Sequence, residues 1–309
     1  MTIPKRIFYV WNGPPPPDKV ERCIASWRNF MPNYEIIAVN NASPYFDFAG
    51  ELERCSWFKT VFERKLWAYV SDYIRVKTLF DHGGIYCDTD ITVLKSFDPL
   101  LGHNFFAGFE SPSLVNLAVF GCVAGHPLLH DLYTFYQQDI WDKPIYTIPE
   151  ITTWLLKEKY GGILYDSRKI PEITTFGNVT LYPEKSFYPY SYNEIFAESC
   201  VTDDTYTIHW WNISWGKPEI LQWLNSKHLT GRHPSPESAS IQEYLRLTPR
   251  ELRLEVLLFG RWALVRGFKQ GCCHAYEFLG IPLLAIQWWR DKAVYFLFNR
   301  IKIATRKKK

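Results

Sequence analysis

KLWAYVSDYIRVKTLFDHGGIYCDTDITVL, running from Lys65 to Leu94, decides how this chain folds. Leu66, Tyr69, Val70, Tyr73, Ile74 and Lys77 recur at the three-and-four spacing of one helical face, so the first half is expected to be a helix. His82, Gly83 and Gly84 end it, because glycine accepts the left-handed backbone at which helices stop. Ile85 to Cys87 and Ile91 to Leu94 are short apolar, partly β-branched runs and are expected to be strands. Asp88 and Asp90 lie between them, one residue apart. In an extended segment alternate side chains share a face, so the two carboxylates are expected to converge on one cation. A partial shell of carboxylate oxygens suits Mg²⁺ or Mn²⁺ and leaves positions open for phosphate oxygens. Asp72 and Arg75 sit one turn apart on the helix. If that helix packs beside the strand, the arginine would hold a diphosphate or a sugar hydroxyl. The plain alternative for the pair is a surface ion pair of little energy.

Upstream, Arg6 to Trp11 reads as a buried strand and Asn12 to Pro17 (NGPPPP) as a rigid loop. Val20, Cys23, Ile24, Trp27 and Phe30 form a helical stripe, and Tyr34 to Val39 is the next strand. Strand, helix, strand in so short a span implies a βαβ unit and a parallel sheet, with ligands at the carboxyl ends of the strands, where Trp11 lies. No G-x-G-x-x-G follows the first strand and no Walker loop occurs, which argues against a Rossmann dehydrogenase or a P-loop NTPase. The aromatic-rich stretch from Asn40 to Arg64 carries no readable pattern. Downstream, Phe105 to Phe109 and Leu117 to Val123 read as strands joined by a loop carrying Glu110 and Asn116. Pro127 opens a helix to Gln138, and Glu150 stands before a helix from Ile151 to Lys159. Glu150 is an acceptor-site candidate or an ordinary helix-start glutamate.

Of the 309 residues, 47% are hydrophobic, enough for a substantial core, and 13 are tryptophan, which suits stacking on bases and sugars but also interfaces. A net charge of +3, from 35 basic and 32 acidic residues, is too small to argue for nucleic acid. The seven cysteines are odd in number and lack any C-x-x-C pair, so free thiols in a reducing cytoplasm are expected rather than disulfides or zinc. The opening MTIPKRIFYVW has no long apolar run, so neither a signal peptide nor an anchor is expected there.

A second chemical segment runs from Ile208 to Trp215, IHWWNISW. A neutral imidazole there would complete the shell of a borderline cation such as Mn²⁺. A serine hydroxyl and an indole N–H are donors for a leaving diphosphate. The alternative is a buried aromatic cluster with one satisfied histidine.

Taken as a unit, the Asp72–Arg75 helix, Gly-Gly stop, strand and D-x-D closely resemble the SDxxR…GGxYxDxD signature of DXD-motif sugar transferases. These are the family 32 enzymes related to yeast α-1,6-mannosyltransferase and bacterial capsular polysaccharide transferases. More distantly, the unit resembles the glucosylating clostridial toxins. The opening IPKRIFYVWNG and the late His209…Ser214-Trp215 spacing resemble the same family. The resemblance implies an α/β, GT-A (Rossmann-like) fold and a metal-dependent, anomer-retaining reaction. It implies that Asp88 and Asp90, with His209, hold Mn²⁺ or Mg²⁺, and that Asp72, Arg75, Asp88 and Asp90 are catalytic. Trp11, with Tyr9 nearby, would stack on the nucleobase. Ser214 and Trp215 would donate to the β-phosphate, and Asp72 would position a donor-sugar hydroxyl. Tyr9 and Trp11 have core packing as their alternative.

From Pro234 the composition shifts. Ser240 to Phe259 and Ala275 to Asn299 are expected to be helices, the second carrying FLGIPLLAIQWW, too short to span a bilayer but suited to its interface. The final RIKIATRKKK holds cations and no acid, which favours an anionic lipid surface. The expected layout is a GT-A nucleotide-sugar transferase domain over 1–232 and a helical, basic, membrane-associating region over 233–309. The expected donor is a nucleotide-diphosphate sugar, UDP-hexose ahead of GDP-hexose. The expected acceptor is a surface glycan such as capsule, lipopolysaccharide or O-antigen, including a lipid-linked one, and no nucleic acid. The expected location is cytoplasmic, peripheral on the inner face of the cytoplasmic membrane. A metal-dependent nucleotide-sugar hydrolase and a non-enzymatic membrane-surface glycan-binding module are the alternatives.

Overall fold

The computed structural model describes residues 2–160, 172–192 and 194–212, Leu224, and the backbone of six strands between 253 and 307. In chain order the elements are β1 (Arg6–Val10), α1 (Asp18–Phe30), β2 (Glu35–Val39), α2 (Phe48–Arg54), α3 (Ser56–Glu63), α4 (Trp67–His82), β3 (Gly84–Cys87), β4 (Ile91–Val93), β5 (Phe105–Ser111), β6 (Leu114–Cys122), α5 (Pro127–Gln138), α6 (Ile148–Lys159), β7 (Thr174–Phe176), β8 (Val179–Tyr182), α7 (Glu184–Phe187) and β9 (Thr207–His209). Six further antiparallel strands follow: β10 (Arg253–Leu258), β11 (Arg261–Gln270), β12 (Cys273–Phe278), β13 (Ile281–Trp288), β14 (Lys292–Leu297) and β15 (Ile301–Lys307).

The chain divides into two units, one of Met1–Ile140 with Ile145–Trp215, the other of Trp141–Pro144 with Gly216–Lys309. The first is α/β, the expected fold class. Its mixed sheet runs β2-β1-β3-β6-β5-β8-β7. β1 is parallel to both β2 and β3, while β6 enters antiparallel to β3 and β5.

The sheet's two faces follow from side-chain alternation along β1 and β3. Ile7, Ile85 and Cys87 pack with Val20, Ile24 and Trp27 of α1. Phe8 faces the other way, in edge contact with Tyr45. α1 also pins β4: the Trp27 indole donates to the Ile91 carbonyl at 2.7 Å, and the Val93 N–H donates to the Ser26 hydroxyl at 2.9 Å. α4 is buried on most of its circumference, including Tyr73, Ile74, Val76 and Leu79, so the single apolar face read from sequence understates its burial. It stops at Gly83, where φ is 61° and an added Cβ would lie 2.7 Å from the Ala124 nitrogen. That position requires glycine for both backbone and space.

Three expectations are corrected in this unit. The patternless 40–64 stretch contains α2 and α3. Both are short, seven and eight residues, so the one face on which α3 buries Trp57, Phe58 and Val61 spans too few turns to stand out. Asp47 caps α2, accepting from the Gly50 N–H at 3.0 Å. Glu110 and Asn116 lie on β5 and β6, not on a loop. Bulges between these strands let the hairpin run further than the apolar runs suggested. α6 begins at Ile148, three residues early, because Thr147 and Glu150 form a reciprocal capping box.

In the second unit, the helices expected over 240–259 and 275–299 are absent among the described residues, where the backbone is strand. Gly280 and Pro282 fall inside the second of those expected helices, and Val294-Tyr295-Phe296 is a β-favouring run. Pro282 sits opposite Glu277 where the β12–β13 register shifts, a place a strand tolerates proline. The Pro234–Pro236 linker lies outside the described residues. No helix among the described residues is long and apolar enough to cross a membrane.

Candidate active site

Asp88 and Asp90 follow β3 at the carboxyl end of the parallel strands. They do not share an extended face. The Ile91 N–H donates to the Asp88 carbonyl at 3.1 Å, so the pair lies on a tight turn into β4. The turn is held from outside. The Asp88 N–H donates to the Ala118 carbonyl of β6, and the Trp210 N–H donates to the Asp90 carbonyl. β4 pairs antiparallel with β9, with Ile91 opposite His209. This pairing brings the late His209 to the aspartates: Asp88, Asp90 and His209 each offer a ligand atom, all within 4.8 Å of one another.

Arg75 organises the buried side of this corner. Its guanidinium forks onto Asp88, Nη2 donating to one carboxylate oxygen at 2.9 Å and Nη1 to the other at 3.3 Å. It also pairs with Asp72 at 3.1 Å and donates to the Leu117 carbonyl at 3.0 Å and the Ser71 hydroxyl at 2.9 Å. The Tyr86 ring lies 4.4 Å from the guanidinium carbon, and the Tyr86 hydroxyl donates to Asp88. Both Asp72 and Arg75 are buried, so the surface-ion-pair alternative is overturned.

Charge at the corner is unbalanced. Asp72 and Asp88 share one guanidinium, and Asp90 beside them faces the His209 imidazole and the Asn212 N–H. Burial opposes the charge on Arg75, but the facing Asp88 and Asp72 outweigh it and keep the guanidinium firmly protonated. Burial raises Asp88 above the usual carboxylate range against the pull of Arg75. Asp90 is lowered in spite of its burial, because His209 sits 3.2 Å away and the Asn212 N–H donates to it at 2.8 Å. The surplus of negative charge is what a divalent cation neutralises. Two carboxylates and an imidazole suit a borderline-hard ion such as Mn²⁺. His209 turns its Nε2 to Asp90 at 3.2 Å, so that nitrogen is the one a cation between the aspartates would take. The residues therefore fit a divalent cation.

Asp72 carries a large shift that bears on pH. Burial pushes it up to about 7, against the opposing pull of Arg75. The native state then binds a proton that the unfolded chain has released, so ionisation of Asp72 costs stability as pH rises from about 4 to about 7. Relative to Asp72→Asn, the wild-type chain should lose stability across that window, on the order of 4 kcal/mol. Urea unfolding of both proteins from pH 4 to 8 measures this; parallel curves would contradict it.

Trp11 and Tyr9 are half-buried at the end of β1. The parallel register Phe8↔Tyr86 places that end at the same sheet edge as Asp88. The Trp11 indole N–H donates to the Pro14 carbonyl at 2.7 Å. Tyr9 meets Trp27 edge-on at 5.7 Å, the packing contact its core reading anticipated. Ser214 and Trp215 lie outside the described residues. The Asn116 side chain donates to Glu110, and its carbonyl accepts from the Ala118 N–H. Glu150 is engaged in the α6 cap.

Several contributors carried no role in the sequence reading: the Ser71 hydroxyl, the Tyr86 hydroxyl, the main chain of Trp210 and Asn212, and Trp211. Tyr86 was visible as a letter of the motif. The backbone donors have no side-chain signal. Trp211 lies tilted against His209 with ring centroids 4.0 Å apart, its φ of 51° in the left-handed region and its indole N–H donating to the Tyr190 carbonyl. Strain at a non-glycine residue beside a metal-competent corner marks a site that surrounding contacts hold in place.

Residues 17–107 match a family described as a glycosyltransferase sugar-binding region containing the DXD motif. The chain is 30% identical over 128 residues to inositol phosphoceramide mannosyltransferase 3 of Schizosaccharomyces pombe, covering 41% of this chain and 35% of that one. It is 28% identical over 170 residues to human (Homo sapiens) alpha-1,4-N-acetylglucosaminyltransferase, 51% of this chain and 47% of that one. It is 29% identical over 156 residues to lactosylceramide 4-alpha-galactosyltransferase of Mus musculus, 46% of this chain and 40% of that one. The matched regions are thus less than half the length of each of these relatives.

Proposed function

We propose that this chain, whose residues 17–107 match the sugar-binding region of DXD-motif glycosyltransferases, transfers a hexose from a nucleotide-diphosphate sugar to a glycan hydroxyl with retention of anomeric configuration. The observation that carries the reading is the convergence of Asp88, Asp90 and His209 beside the buried Arg75 fork, within the family-matched region and its late β9 partner. A divalent cation held by those three residues, Mn²⁺ or Mg²⁺, would offset charge growing on the departing diphosphate. Arg75 holds Asp88 in place and keeps positive charge at the corner. Asp72, fixed against Arg75, is the group for a donor-sugar hydroxyl. Trp11 offers its ring to the nucleobase at the β1 edge, with Ser214 and Trp215 as further diphosphate donors.

The three relatives are named for mannosyl, N-acetylglucosaminyl and galactosyl transfer, so the donor sugar varies among them. Two are named for sphingolipid acceptors, which supports a lipid-linked acceptor here as well as a capsule or lipopolysaccharide glycan. The cationic C-terminal run supports a peripheral site on an anionic membrane face, reached by strands rather than by an interfacial helix. Undiminished co-sedimentation with anionic vesicles after deletion of 281–309 would overturn that part. For the reaction, UDP- and GDP-hexoses are screened with Mn²⁺ for nucleotide release, with and without glycan acceptors. Release from a UDP-hexose that yields acceptor product is expected. Quantitative hydrolysis with no transfer would favour the hydrolase instead.

A further inference from the structure

Six large apolar side chains are exposed among the described residues, and three of them, Tyr192, Ile195 and Trp210, belong to two segments that meet beside the aspartate corner. Phe196 joins these segments, its ring 5.2 Å from Trp210 and 5.5 Å from Tyr190. Tyr192 meets Trp211 at 6.1 Å, and Trp211 covers His209. The exposures are large: 40% for Trp210, 44% for Tyr192 and 95% for Ile195. Such a patch on a protein surface marks a binding site more often than an accident.

Exposed Trp210 and half-buried Trp211 are both fixed. The Trp210 indole N–H donates to the Thr92 hydroxyl at 2.7 Å, and its main-chain N–H donates to the Asp90 carbonyl. The Trp211 indole N–H donates to the Tyr190 carbonyl. The polar edges of both indoles are thus satisfied inward, which leaves apolar ring faces for a ligand. A pyranose presents a face of axial C–H groups that packs on such rings, while its hydroxyls stay at the rim. Polar groups stand at this rim: Asn212 accepts from the Lys19 ammonium at 3.0 Å, and the Ser191 N–H donates to Glu194.

From this geometry we infer that Tyr192, Ile195, Phe196 and Trp210 form a stacking platform for a pyranose ring of the acceptor glycan. The inference rests on the transferase reading above. It assigns the patch to the acceptor because the patch adjoins Asp90 and His209, where transfer would occur. The nucleobase has its own ring, Trp11, at the β1 edge.

The test uses the full chain with UDP and Mn²⁺. Saturation-transfer NMR is recorded with lactose, methyl α-mannoside and methyl β-galactoside as probes. The expected result is saturation of C–H protons on one face of a pyranose. It should fall about fivefold in Tyr192→Ala and in Trp210→Phe/Ile195→Ser. UDP affinity should stay within about twofold of wild type. Ile195 is almost fully exposed and Tyr192 and Trp210 are each more than a third exposed, so these variants should keep the wild-type circular dichroism. Equal saturation in wild type and variants, or none for any probe in wild type, would overturn the platform. So would a variant that loses UDP affinity with an unchanged saccharide signal, which would hand the rings to the base. If wild type releases no nucleotide from any donor while saccharide saturation is present and lost in the variants, the transferase reading fails and with it the acceptor assignment, and the rings stand as a saccharide-binding surface only.

Discussion

Replacing Asp90 with alanine is expected to lower sugar transfer on the order of 10³-fold or more while leaving the chain folded. The two halves of that expectation have separate causes. What Asp90 does for the fold is mostly main-chain: its carbonyl accepts from Trp210, a bond the substitution keeps. Its carboxylate accepts from the exposed Asn212 N–H, which water can satisfy instead, and faces His209 at 3.2 Å, the one buried contact the substitution removes. What the side chain does for function is to supply one of two anionic ligands. Mn²⁺ at about a hundredfold above its dissociation constant should stabilise wild type by about 2.7 kcal/mol. The variant should show almost none of this. Thermal unfolding with and without Mn²⁺ reads the metal directly, and turnover reads the reaction. A variant with wild-type turnover and a wild-type Mn²⁺ shift would remove the basis of the site.

Arg75→Met should be the most destabilising single change at this corner, by about 3–5 kcal/mol. Methionine fills much of the same space, so the loss is one of charge rather than volume. Asp72 and Asp88 would remain buried with no guanidinium, and the Leu117 carbonyl would lose its side-chain donor. Arg75→Lys should recover only part of the loss, because a single ammonium cannot fork onto both Asp88 oxygens. A double-mutant cycle identifies the mechanism: in an Asp72→Asn background Arg75→Met should cost less, since one stranded carboxylate has been neutralised. Denaturant midpoints of the four proteins measure the coupling. A loss below about 1 kcal/mol for Arg75→Met would mean that this guanidinium does not hold the corner together.

The legible parts of the chain are those whose signals lie within a few residues. The β1-α1-β2 unit, α4 and its glycine stop show in period and punctuation. α2 and α3 do not, because at seven and eight residues each is too short for a period to stand out. The C-terminal strands were read as helices because short apolar runs satisfy either period, and only pairing between strands chooses. Asp72 and Arg75 show the same limit at the site. Their spacing fits a weak surface pair as well as a buried clamp, and only burial against β3 and β6 separates the two.

The sequence alone determined the family resemblance, the order of the first strands and helices, and the residue types at the metal-competent corner. These depend on side-chain period, glycine geometry and the chemistry of adjacent carboxylates, all of which act locally. The tertiary structure decided that Asp88 and Asp90 converge through a turn rather than along a strand, and that β9 delivers His209 to them. It also showed that Asp72 and Asp88 lean on one buried guanidinium while Asp90 faces His209. Those outcomes rest on backbone hydrogen bonds between distant segments and on charges removed from water, neither of which leaves a trace in local pattern.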